Sequence, residues 1–480
     1  MPTPIFPYTD DNPPATFRYN DDREIRMISI SMLPFFLLSR TVEKEKNEAF
    51  GLCTMKVLFR TTPKGGTMKT NDPRFDAYAR LIVEVGSNVQ SDVPVLITAA
   101  IEAADFARLV AKYAYEAGAS EVVVDWQDDA LRRLRLEHAS LDVLDNVPDF
   151  LYDKREYYCQ KGVHMIHLLS SDPEALAGVD ADRVQRASIA VNKKFKPLRH
   201  YTMNDEVSWC IAAVPCAVWA RKVYPTATND QDAVDRLWEQ IFTVMRLNEE
   251  DPVAAWQAHL TRLQERANRL NHYRFEQMHY RAENGTDLVV RLPKGHIWCA
   301  ATSTDNRGTA FVPNMPTEEV FTMPHREGVD GTLVATRPLA YNGSLIEDFT
   351  LHFTEGAVTS YSAKKGEEKL KALLEEDENA VRLGEIALVP YDSPISLSHT
   401  LFYETLFDEN ASCHFAFGAS YPTTMEEGEK MSEEELKAHG ANVSQIHEDF
   451  MVGTRDLAIT GITADGEEKV VFANGNFVLE

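Results

Sequence analysis

The chain has 480 residues, 44% hydrophobic and 26% charged, with 49 basic against 74 acidic side chains and a formal net charge of −25. A length like this holds roughly two to four domains with substantial cores. So acidic a surface excludes nucleic acid and anionic membranes as the main partners, because both repel it.

Residues 1–67 are rich in Pro, Asp and Asn, show no sustained period and end in TTPKGGT. Regular patterning begins only after Met68. Lys64-Gly65-Gly66, if encoded AAA-GGA-GGN, would form a bacterial ribosome-binding sequence just ahead of an ATG. The natural start is therefore expected at Met68, with 1–67 an N-terminal extension produced by start-site choice. Within it, the apolar run Met27–Leu38 is too short to span a bilayer, contains Pro34 and lacks a cleavage site, so no membrane segment or signal peptide is expected. The six cysteines form no CxxC pair and read as reduced thiols, consistent with a cytoplasmic protein.

From residue 68 to 272 the pattern is that of an α/β domain. Helical spacing over Phe75–Val85, a strand at Val93–Thr98 and an amphipathic helix from Ala103 to Glu116 lead to EVVVDW (121–126), which reads as a fully buried strand. Strand–helix–strand at this length is a βαβ unit and implies a parallel, Rossmann-like sheet. Further strands are expected at Val163–Leu169 and Ser208–Val214, and helices at Asp182–Lys194, Gln231–Arg246 and from Pro252 to about Leu270. No GxGxxG or GxxxxGK[ST] follows a strand, which speaks against a nucleotide site. Asp128-Asp129 ends a strand and faces either a ligand or solvent.

From 273 to 480 the texture becomes α+β, with short β-type runs joined by turns such as Asn342-Gly343 and Asp465-Gly466, implying a mostly antiparallel sheet. Strands are expected at Thr286–Leu292, Ile297–Thr302, Gly331–Arg337, Leu345–Phe353, Ala357–Ser362, Ile386–Pro390, Leu457–Thr463 and Lys469–Ala473. Gly366–Asp377 is an amphipathic helix. The Glu-rich stretch Met425–His439 reads as an exposed helical excursion.

This second domain holds the residues with chemistry. Glu318 and Glu319 follow two prolines, with His325, Arg326 and Asp330 close behind. Glu385 starts a strand, His414 precedes an FxFG run with Tyr421 seven residues later, and His447 and Asp449 stand at i and i+2, one face of a strand. Carboxylates and imidazoles are the ligands of divalent ions that activate water. Each residue alone reads equally as surface or core, and no HExxH or Cys-rich zinc pattern is present. Cys413 beside His414 offers a Cys–His nucleophile, against the plainer reading of a small buried residue.

Four segments, NMPTEEVFTMPHREGVDGTL, RLGEIALVP, LFYETLFDENASCHFAFGASY and HGANVSQIHEDFMVG, resemble in order and spacing the aminopeptidase T / aminopeptidase S family of metallo-aminopeptidases. The stretch ITAAIEAADFARLVAKYAYEAGASEVVVDWQDD is similar to that family's N-terminal βαβ, and the likeness runs from about Met68 to Glu480. The resemblance implies a metal-dependent aminopeptidase, homodimeric, with a dinuclear site in the C-terminal domain and peptides with a free N-terminus as substrates. Carried over by position, the metal ligands are Glu319, Glu385, His414, His447 and Asp449, holding two divalent ions (zinc, cobalt or manganese), with Tyr421 as the active-site tyrosine. Glu318 is then expected as general base, with its role exchangeable with that of Glu319. Tyr421 is expected as donor to the oxyanion, and His325 and Arg326 as contacts to substrate or around the metals. The competing reading is a non-catalytic peptide or small-molecule binding protein on the same scaffold. The extension before Met68 has no counterpart in the family.

Overall fold

Asp72 caps the first helix, Pro73–Leu81, its side chain accepting from the Arg74 N–H while Pro73 takes the first turn. The computed structural model describes residues 72–479 apart from 171, 173, 342 and 343. The extension at 1–67, the expected start at Met68 and the run Met27–Leu38 lie outside the described residues.

Strands Pro94–Ala100, Glu121–Gln127, His164–Leu169 and Trp209–Ala213 pair in parallel, the Glu121 strand outermost and the Pro94 strand next to it. The helix Ala104–Glu116 crosses between the first two, so the βαβ unit and the Rossmann-like sheet are as expected. Helices Ala181–Phe195, Asp230–Val244 and Pro252–Tyr273 also lie where periodicity put them. The helices that periodicity does not reveal include Asp129–His138 and Asp149–Gln160. Both leave large apolar side chains outside, Leu131 and Phe150 among them, which blurs the amphipathic pattern. Asp128 turns out to be the cap of the first of these, its Oδ1 accepting from the Leu131 N–H at 3.0 Å.

The EVVVDW strand departs from expectation. It is the outer strand of its sheet, its central side chains are only half-buried, and Trp126 is 43% exposed. A continuous apolar run marks a buried strand only where both faces are covered, and here the covering is incomplete.

The second half is α+β. A nine-stranded antiparallel sheet and a four-stranded antiparallel sheet share one core, built from residues such as Leu288, Leu333, Phe349, Ile386, Phe415 and Phe450. Ile297–Thr302 is not a strand; within it Cys299 makes a single bridge to Phe321. The acidic excursion contains a short helix, Glu433–Ala438, with a Ser432/Glu435 capping box. Met425 and Leu436 anchor it on Met323 and Ala441, so it is pinned rather than free.

The two halves interlock beyond the helix Pro252–Tyr273. Asn314–Met315 returns to the first sheet and pairs in parallel with the Trp209 strand. Ile395, Phe402 and Phe407 likewise pack into the first core.

Candidate active site

The site stands on the four-stranded sheet, whose strands Val320–Thr322, Leu383–Leu388, His414–Gly418 and His447–Met451 are adjacent in that order. Side chains alternate across a sheet, and the partners Phe321–Ala387, Glu385–Ala416 and Ala416–Asp449 fix which residues share a face. Glu385, His414, His447 and Asp449 fall together, and Glu319, two residues before Phe321, joins them. Val320, Ile386, Phe415, Phe417 and Phe450 occupy the other face, inside the core. A slip of one residue would bury the polar set in that core, so the register is strongly held.

Within the group, His414 Nε2 lies 3.0 Å from Glu319 Oε2 and 3.9 Å from Glu385 Oε1. His447 Nε2 lies 3.3 Å from Glu385 Oε2 and 3.6 Å from Asp449 Oδ1. Two triads result, Glu319–Glu385–His414 and Glu385–His447–Asp449, each with its donor atoms within 4.8 Å of one another and with Glu385 common to both.

Both imidazoles are oriented from behind. Nδ1 of His414 is 3.1 Å from the Ser412 carbonyl, and Nδ1 of His447 is 2.8 Å from that of Ala419. A carbonyl only accepts, so each Nδ1 carries a proton and each Nε2 aims at the carboxylates. Gly418 makes the second bond possible: at φ +92° it bends the chain where a Cβ would come within 2.2 Å of the Ile446 carbonyl. Glu319 Oε2 is buried without a hydrogen-bond partner. Lone pairs facing lone pairs repel unless a cation or extra protons lie between them. With protons alone, burial lowers His414 but Glu319, Asp449 and Glu385 outweigh it and raise the imidazole to about 10. Three carboxylates and two imidazoles are the donors a hard or borderline divalent ion prefers, so the residues fit a metal.

Glu318 is not brought to this group. Being adjacent to Glu319 it points the other way, where Arg246 Nη2 bonds its Oε1 at 2.6 Å. The same Arg246 nitrogen donates to His259 Nδ1 at 3.1 Å, and His259 Nε2–H donates to the Thr317 carbonyl at 2.8 Å. Burial, then Arg246, hold His259 at about 3, so it is neutral. Glu318 thus braces the backbone that presents Glu319. Arg246→Met should leave Glu318 buried and unpaired and cost about 3–5 kcal/mol, read by denaturant unfolding of the metal-free protein.

A carboxylate that sequence reading passed over takes the place on the site side. Glu409 sits in a short turn, Glu409–Ala411, and its Oε1 accepts from Asn410 Nδ2 at 3.3 Å. Asn410 also receives the Glu318 N–H at 2.7 Å, tying the two segments together. Burial, then Asp449 and Glu319, push the Glu409 carboxyl well above the usual range. Glu409 lies within the LFYETLFDENASCHFAFGASY segment, but no periodicity or spacing in that segment marks it.

The Tyr421 ring lies tilted against His447, ring centroids 4.7 Å apart, and also meets Phe321 edge-on. His447 lowers its phenol, but burial and the carboxylates Glu385 and Asp449 outweigh that and raise it. Glu319, Glu385, Glu409, His414, Tyr421, His447 and Asp449 all line one cavity of about 310 Å³. Its far wall comes from the first sheet, where His167, Ile211 and Asn314 stand in one register row.

The remaining candidates lie elsewhere. Arg326 Nη2 bonds Asn379 Oδ1 at 3.0 Å, Asp330 Oδ1 accepts from the Glu355 N–H at 2.8 Å, and the His325 N–H donates to the Arg291 carbonyl at 2.8 Å. Cys413 points into the core, its thiol pushed up to about 12 by burial, which removes the Cys–His nucleophile.

Residues 71–477 match the family described as thermophilic metalloprotease (M29). Among curated proteins, the chain is 45% identical over 410 residues to aminopeptidase AmpS of Bacillus subtilis (strain 168), covering 85% of this chain and 100% of that one. It is 42% identical to aminopeptidase 2 of Geobacillus stearothermophilus, covering 85% and 98%. Among solved structures, wild-type AmpT from Thermus thermophilus superposes with a TM-score of 0.79 at 40% identity, covering 84% of this chain and 99% of that chain.

Proposed function

Because the chain belongs to the thermophilic metalloprotease (M29) family and is a metal-dependent aminopeptidase, we propose that it works with two divalent ions, zinc, cobalt or manganese. The observation that carries this is the pair of triads sharing Glu385. Glu319 and His414 would hold one ion, His447 and Asp449 the other, and Glu385 would reach both. Bound there, such ions supply Lewis acidity, which polarises a scissile carbonyl and lowers the pKa of water from ~15.7 toward ~7.

The protein's own groups do the rest. With bound ions offsetting the neighbouring carboxylates that raise it, Glu409 would be ionised, and it takes the proton of the attacking water and delivers it to the leaving nitrogen. Asn410 holds Oε1 of Glu409, which leaves Oε2 for that proton. The Tyr421 hydroxyl donates to the developing oxyanion. The acidic wall of the cavity receives the substrate's free α-amine, which fixes cleavage at the first peptide bond. In this reading Glu409 is the general base and Glu318 a brace.

No helix among the described residues is long and apolar enough to cross a membrane. Among the described residues Cys159, Cys210, Cys216, Cys299 and Cys413 form no disulfide, which fits the reducing cytoplasm. The outer strand with its exposed Trp126, followed by a helix with Leu131 and Leu134 exposed, supports a homodimer that covers this edge.

Incubation of purified protein with a tripeptide and with its N-acetylated form tests the reaction. Only the free amine should be trimmed, and only with metal present. Equal cleavage of the acetylated peptide would refute the exopeptidase mechanism. Light scattering of the same preparation should return twice the chain mass.

A further inference from the structure

The cavity is electrically lopsided. Glu319, Glu385, Glu409 and Asp449 gather on the wall from the second half of the chain. On the opposite wall, helix Asp149–Gln160 contributes Arg155, the one arginine or lysine among the described lining residues. Arg155 makes no ion pair among the described residues. Its Nη2 lies 4.0 Å from Met165 Sδ, and its guanidinium sits 5.9 Å from the centre of the Phe195 ring. Its neighbour on the wall, His167, is held at about 4 by burial and then by Arg155, so it adds no positive charge. Asp205, the other acid of the lining, hydrogen-bonds Ser303. Between the two charged ends the wall is largely uncharged, formed by Met203, Trp209, Ile211 and Pro313.

A guanidinium facing a cavity without a carboxylate of its own is a site for one. Its planar fork matches a carboxylate in a two-point, charge-assisted contact. The cavity volume, about 310 Å³, is that of a small-molecule pocket rather than of a groove for a long chain. We propose that Arg155 binds the C-terminal carboxylate of a short peptide whose N-terminus lies at the Glu385 cluster. The enzyme would thereby recognise its substrate by both ends at once. This rests on the aminopeptidase reading and adds the substrate class: peptides of two or three residues with a free carboxyl terminus.

The test compares Leu-Gly-Gly with its C-terminal amide on the metal-loaded full-length protein. A charge-assisted hydrogen bond of this kind predicts a KM about 10–100-fold lower for the acid, with the difference carried by KM and not by kcat. In Arg155→Met the KM for the acid should rise to meet that of the amide, and Arg155→Lys should retain part of the preference as a point charge. Calorimetric titration of metal-free protein with Gly-Gly, the product that keeps the carboxylate, should show binding to the wild type and none to Arg155→Met. A third peptide, Leu-Glu-Gly-amide, separates a side-chain carboxylate from a terminal one; if it matches the free acid, the terminal assignment is overturned. Equal KM for acid and amide in the wild type, or a preference that survives in Arg155→Met, overturns the proposal as well. Leucine p-nitroanilide carries no carboxylate. Its hydrolysis by the wild type decides the aminopeptidase reading separately, so the two failures are distinguishable.

Discussion

Glu409→Gln should retain both metal ions and the native thermal midpoint while lowering kcat by about 10²–10⁴-fold, the usual contribution of a positioned proton transfer. Glutamine keeps the volume of the side chain and an oxygen to accept from Asn410 Nδ2, 3.3 Å away in the wild type. What it lacks is a basic oxygen for the water's proton. Metal analysis beside steady-state kinetics reads the outcome. Loss of an ion in this variant would make Glu409 a ligand, and near-wild-type turnover would remove it from the chemistry. Glu318→Gln is the matched control, since its carboxylate is bound to Arg246 on the far side of the strand. That variant should lose stability more than it loses chemistry.

The second large effect concerns the shared carboxylate. Glu385 belongs to both triads, so Glu385→Ala should release both ions and abolish activity. His414→Ala and Asp449→Ala, each confined to one triad, should each weaken a single ion. Chelator-treated wild type should be inactive and recover with zinc, cobalt or manganese. Its thermal midpoint should rise with added ion, by the equivalent of about 2.7 kcal/mol at a hundredfold excess over Kd. If Glu385→Ala loses one ion while keeping the other, the bridging role is wrong. If metal-free protein remains fully active, the mechanism is wrong.

How much of this could be read from residues alone differs from one part to another. The βαβ unit was legible because the helix Ala104–Glu116 and its flanking strands carry clean, different periods ended by Gly118. The openness of EVVVDW was not, because its exposure depends on what packs over it and not on its own composition. The candidate metal-ligand set was legible only through its resemblance to a family, since strands as short as His414–Gly418 and His447–Met451 give too few residues for a period to emerge. The distinction between Glu318 and Glu319 was within reach. Val320 begins a strand and is apolar, so alternation places Glu318 with it and Glu319 opposite. Glu409 was out of reach by pattern, because the turn that carries it has no period and its burial comes from distant chain.

The short strand Asn314–Met315 ties down one more property. It belongs to the cavity's far wall, whereas Glu319 belongs to the metal-side wall, and only Pro316, Thr317 and Glu318 separate them. Pro316 has a fixed φ, the Thr317 carbonyl is gripped by His259, and Glu318 is gripped by Arg246 and Asn410. The two walls are thus joined at this edge by a span with almost no slack, like a spacer set between two plates. The gap beside Glu319 has one height whatever enters it. A thicker side chain must find room laterally, and an enzyme remodelled for bulkier peptides would have to change the spacer before it changed the walls.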